Sequence, residues 1–119
     1  MTTTDTAHPV PTDDLPAAVR GFLAAHADRD VPAAATFFTD DAVVTDQGET
    51  FRGTDGVHDF LTRAGSEYTY TSELVGARHV DDTRWVAVVR LEGDFPGGVA
   101  VLDYRVSLAD GRIAELTIG

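Results

Sequence analysis

The run Ala42-Val43-Val44-Thr45-Asp46-Gln47-Gly48-Glu49 separates two kinds of sequence. Helix-like segments precede it, and mostly strand-like segments follow. Alternation at a period of two places Ala42, Val44 and Asp46 on one face of a strand, so a carboxylate shares a side with residues that should be buried. Burying a carboxylate is costly unless it is paired, hydrogen-bonded or kept neutral. Asp46 is therefore a candidate acid or base. Gln47-Gly48 can turn the chain back into a short partner strand, Glu49 to Arg52.

Upstream, Met1 to Asp13 is rich in Thr, Asp and Pro and reads as a flexible leader, with one domain spanning residues 14–119. Asp13 or Asp14 can cap a first helix that carries Pro16 in its first turn and an apolar-side stripe of Leu15, Val19, Phe22, Leu23 and His26. This helix should end near Ala27 or Asp28. Asp30 can cap a second, with Pro32 in its first turn, running through Phe37 and Phe38. Downstream, Thr54 is placed to cap a third helix with Val57, Phe60, Leu61 and Ala64 on one side, and Gly65 suits its end.

The period then becomes strand-like. Tyr68 to Val80, Arg84 to Glu92, Gly98 to Leu108 and Arg112 to Ile118 form four segments with short joins, which favour antiparallel neighbours. Helices first and long strands afterwards predict an α+β domain.

Composition narrows the chemistry. The chain of 119 residues has room for one domain with a sizeable core. It contains no Cys, and all nine basic residues are Arg, so thiolate nucleophiles, disulfides, Cys-held metals and side-chain Schiff bases are excluded. No two histidines have helix-face metal spacing, and neither a metal nor a cofactor is expected. A net charge of -11 opposes nonspecific binding to nucleic acid or an anionic membrane. No apolar run reaches the roughly 20 residues of a membrane span, and the N-terminus lacks a signal-peptide core, so a cytoplasmic location is expected.

In Val99 to Leu108, alternation gives one face Val99, Val101, Asp103, Arg105 and Ser107, and the other Ala100, Leu102, Tyr104, Val106 and Leu108. The second face reads as core or subunit interface. The first turns from apolar to polar at Asp103 and reads as a pocket wall, so Asp46 and Asp103 are expected to point into one enclosed space. Phe22, Phe37, Phe38, Phe60, Tyr68, Tyr70 and Trp85 are candidates for its bulky lining, with His26 as a polar anchor and Glu49 and Arg52 near the entrance.

The segments Phe22 to Asp30, Phe37 to Asp46, Phe51 to Val57 and Asp103 to Val106 resemble the nuclear transport factor 2-like superfamily, and within it the SnoaL-like polyketide cyclases and ketosteroid isomerases. The resemblance implies a cone-shaped fold in which three N-terminal helices pack into a strongly curved antiparallel sheet, and a homodimer formed through the outer sheet face. In the isomerase pattern Asp46 matches the proton-transferring aspartate and Asp103 the acid that hydrogen-bonds the enolate oxygen, while Phe22 replaces a tyrosine donor. Asp103 with Arg105 also resembles the groups of related epoxide hydrolases.

The expected function is acid–base catalysis, as isomerase, cyclase or hydrolase, on an apolar cyclic oxygenated compound. Asp46 and Asp103 would be catalytic, with Phe22, His26, Phe38, Phe60, Trp85, Val101 and Arg105 binding the substrate. The alternatives are a noncatalytic small-molecule binder and a dimeric adaptor.

Overall fold

A computed structural model describes residues 8–64 and 70–119. Thr12–Asp14 form a 3-10 turn, and helix α1 spans Ala17–Ala27 with Pro16 at its N-cap. Neither Asp13 nor Asp14 caps it. Proline disfavours helical geometry in the residue before it, and Leu15 is extended (φ -61°, ψ 141°), so the helix cannot start earlier.

At its other end, Asp30 N donates to Ala25 O (2.9 Å) and Arg29 N to His26 O (3.0 Å), with Arg29 left-handed at φ 57°. This double closure ends the helix at Ala27, with Asp28 and Arg29 between it and the cap of the next. There the Asp30 carboxylate accepts from Ala33 N, as expected, and starts helix α2, Val31–Ala35. The second helix stops short of Phe37 and Phe38. The Phe37 carbonyl instead accepts from Ile113 N at 2.7 Å, and strand β2 runs Phe38–Asp46.

Gln47 and Gly48, both at positive φ, make the tight turn into strand β3, Glu49–Arg52, and helix α3 follows directly as Gly53–Ala64. Thr54 therefore lies inside the helix that it was expected to cap. The expected stop at Gly65, and Tyr68, fall outside the described residues. Four long strands complete the chain: β4 Tyr70–His79, β5 Arg84–Gly93, β6 Val99–Ala109 and β7 Arg112–Ile118.

With His8–Val10 as strand β1, the sheet has seven strands in the order β1-β4-β5-β6-β7-β2-β3. The segment read as a leader thus joins the sheet edge from His8 onward, pairing antiparallel with β4. One further correction concerns direction: β2 lies parallel to β7, although every other pair is antiparallel. The chain between β2 and β7 is long enough to cross over, as a parallel pair requires.

The helices fill the concave side of the curled, unclosed sheet. Leu15, Val19 and Phe22 from α1, Val57, Phe60 and Leu61 from α3, and Val44, Ile113 and Leu116 from the sheet are buried together. Each such side chain contributes about 1.5–3 kcal/mol on leaving water. The opposite face of β6 carries Val99 and Val101 and is exposed.

Candidate active site

The helices fill only part of the concavity. A cavity of about 360 Å³ remains toward the ends of β2 and β6. Asp46 and Gln47 border it from the end of β2, His26 from α1, Phe60 from α3, Tyr70 from β4 and Tyr104 from β6. Leu91, Ala100, Leu102 and Ile118 form its apolar wall, and Phe95 and Pro96 reach it from the β5–β6 loop. Gly97 and Gly98 both take positive φ in that loop, which closes through Gly98 N to Phe95 O (3.0 Å).

Strand register explains why Asp46 and Tyr104 meet. Asp46 pairs with Ile118, and Ile118 pairs with Tyr104, so the three occupy one lateral row. Two strand spacings separate Asp46 from Tyr104, about 10 Å between backbones, and both side chains line the inner face. Their electrostatic coupling is evident in the phenol, whose pKa is pushed well above the ordinary tyrosine value by burial, then by Tyr70 and Asp46. Tyr104 therefore stays protonated and can donate its O–H at any ordinary pH.

Partial burial raises the Asp46 pKa, with a smaller push from Glu49 on the adjoining strand. A carboxylate held in poorly solvating surroundings is a stronger base than one in water. Burial likewise raises the Tyr70 pKa, opposed by Arg29, whose guanidinium lies 5.0 Å from the Tyr70 ring centre.

His26 stacks between Phe22 (5.5 Å) and Phe60 (6.0 Å), and burial, reinforced by Arg29, lowers its pKa. It faces the cavity as a neutral imidazole. The consequence for stability has a definite sign. Above pH 6.5 neither state binds the proton, whereas below it the unfolded chain takes up a proton that the folded site resists. The melting temperature should therefore fall as pH drops from about 7 to about 5, and His26→Phe, which keeps the stacking, should flatten that dependence. An unchanged slope would exclude His26 as its source.

The structure separates the other candidate residues. Phe60 and His26 line the cavity, as does Tyr70. Phe22 and Phe38 pack edge to face at 5.2 Å in the core beneath it. Trp85 is on the inner face but deeper, in the row of Val106 and Leu116, with its ring 4.3 Å from that of His79; its buried Nε1 has no hydrogen-bond partner among the described residues. Glu49 is an exposed ion-pair partner of Arg63 (2.8 Å), and Arg52 is exposed.

Val101, Asp103 and Arg105 do not join Asp46. They stand on the outer face, where Asp103 accepts from Arg78 at 2.9 Å and lies 3.6 Å from Arg105. The face of β6 read as core or interface is the one that lines the cavity, and it supplies Tyr104, which the sequence did not single out. Its signal was present as a phenol amid aliphatic residues on an apolar strand face. Among the described residues no group of three His, Asp or Glu side chains is arranged to hold a metal ion, and no helix is long and apolar enough to cross a membrane.

The SnoaL-like domain model matches residues 19–116, nearly the whole of this architecture. The chain belongs to the SnoaL-like family. A SnoaL-like fold is also evident from solved structures. A candidate polyketide cyclase from Sinorhizobium meliloti superposes with a TM-score of 0.85 at 30% identity, over 92% of this chain and 100% of that one. A protein from Catenulispora acidiphila with a ketosteroid isomerase-like fold, in complex with trimethylamine, gives 0.74 at 15% identity, over 87% and 85%. An NTF2-like protein of unknown function from Cytophaga hutchinsonii gives 0.70 at 13%, over 92% and 89%. No curated protein matches the chain.

Proposed function

We propose that this SnoaL-like domain is a cofactor-independent acid–base enzyme acting on a small, apolar, cyclic ketone or related oxygenated compound. The observation that carries the reading is the shared cavity of Asp46 and Tyr104, a carboxylate made more basic by burial beside a phenol kept neutral by burial. Opposed environments of this kind divide the roles of base and hydrogen-bond donor between neighbouring groups. Asp46 removes a proton from the carbon next to the carbonyl. Tyr104 donates to the carbonyl oxygen as negative charge develops there. Where a double bond is conjugated with the enolate, the far carbon recovers the proton from Asp46, an isomerisation; alternatively the enolate carbon attacks a second carbonyl of the same molecule and the alkoxide formed takes the proton from Asp46, a cyclisation. Epoxide opening is not favoured, because Asp103 and Arg105 face away from the cavity.

Deuterium uptake tests the first step without knowledge of the product. Incubating the protein in heavy water with cyclic ketones such as 2-tetralone should accelerate exchange at the carbon beside the carbonyl, read by mass spectrometry, and Asp46→Asn should remove the acceleration. Ketones retained stoichiometrically without exchange would instead mark a noncatalytic binder.

We further propose that two copies pair through the outer sheet face, where Val75, Val99 and Val101 are 48%, 47% and 58% exposed. Sedimentation should show a dimer that Val101→Glu dissociates. A wild-type monomer at micromolar concentration would refute the pairing.

A further inference from the structure

A second cavity of about 300 Å³ adjoins the active-site cavity, between α1 and strands β4 and β5. The two share His26, Tyr70, Leu91 and Tyr104 as common walls. Beyond those walls the second chamber is lined by Leu23, Ala24, Leu74 and Val89, a surface suited to hydrocarbon. One charged side chain borders it, that of Arg20.

Arg20 Nε donates to Leu15 O at 3.0 Å, which anchors the guanidinium while leaving its two terminal nitrogens for other acceptors. Among the described residues no carboxylate stands within ion-pair distance of it. A second guanidinium, that of Arg29, lies over the Tyr70 ring of the shared wall. The paired space is therefore polarised, with the Asp46 carboxylate bordering one cavity and the Arg20 guanidinium bordering the other. A ligand with an anionic group has only one favourable orientation in such a space.

The scale follows from the helix. Arg20 and His26 are six residues apart on α1, about 9 Å along its axis at 1.5 Å per residue. We infer that the substrate is an elongated apolar molecule with a carboxylate or similar anionic group roughly two fused rings away from its reacting carbonyl, the anion seated on Arg20. This rests on the proposed acid–base reading for the position of the carbonyl. The chain's net charge of -11 repels anions at long range, but at physiological salt such repulsion is screened beyond about 8 Å, and the fork of Arg20 acts at contact.

The probes are 6-acetyl-2-naphthoic acid and its methyl ester, titrated by naphthalene fluorescence in about 0.15 M salt. The acid should bind about fivefold more tightly than the ester. Arg20→Gln should erase that preference with ester affinity unchanged, and Arg20→Lys should preserve part of it. Equal binding of acid and ester by the wild type, a preference that survives Arg20→Gln, or binding of neither probe would overturn the inference. Asp46→Asn should keep the acid preference while losing deuterium exchange, so failure of the anion seat and failure of the catalytic reading are read in separate assays.

Discussion

Replacing Asp46 by Asn should lower the rate of enzyme-dependent deuterium exchange by about 10³-fold while raising the melting temperature by a few degrees. The two effects have one origin. Asn occupies nearly the same volume and borders the same cavity, but its amide cannot accept a proton from carbon. The wild-type carboxylate is harder to ionise in the fold than in the unfolded chain, because burial, and then Glu49, raise its pKa above 3.8. Between 3.8 and the raised value the folded state holds the extra proton, so stability declines as pH rises through that window and stays lower above it. The variant escapes that cost at neutral pH. Activity should show the matching acid limb, displaced above the ordinary carboxylate pKa. Thermal melts and exchange rates on the same samples decide the matter, and a variant that is both inactive and less stable would point to damage rather than lost chemistry.

The next largest effect is expected at Tyr104. Tyr104→Phe should reduce the exchange rate by about 10²-fold with little change in ligand affinity, since a hydrogen bond to a developing oxyanion matters most at the transition state. Burial, Tyr70 and Asp46 all raise the phenol pKa, so its ionisation should add no alkaline limb at ordinary pH. Asp103→Asn is the contrasting control: its carboxylate bonds Arg78 and faces outward, so activity should change less than about threefold. If Asp103→Asn were the damaging variant and Tyr104→Phe the silent one, the assigned inner face of β6 would be wrong.

That contrast marks where the sequence ceased to be legible. Local chemistry was readable: Asp30 as a cap, Gln47-Gly48 as a turn, and β3 and β7 at the expected bounds. Asp46 beside Val44 on one strand face was readable for the same reason, since alternation is a property of the strand itself. Phe38 was misplaced because its backbone is claimed by β7, distant in sequence. His8–Val10 form a strand only because β4 offers an unpaired edge. Pro16, read within the first turn, stands just before it and removes Asp13 and Asp14 as caps.

The amino-acid sequence by itself determined the α+β order, the two alternating faces of β6 and the restriction to carboxylate, imidazole, hydroxyl and guanidinium chemistry. Only the tertiary structure decided which β6 face looks inward. A step of one residue along a strand reverses the side, and the direction of sheet curvature depends on which face the three helices cover. They cover the Tyr104 face, which places a neutral phenol near Asp46 and leaves Asp103 between two arginines outside.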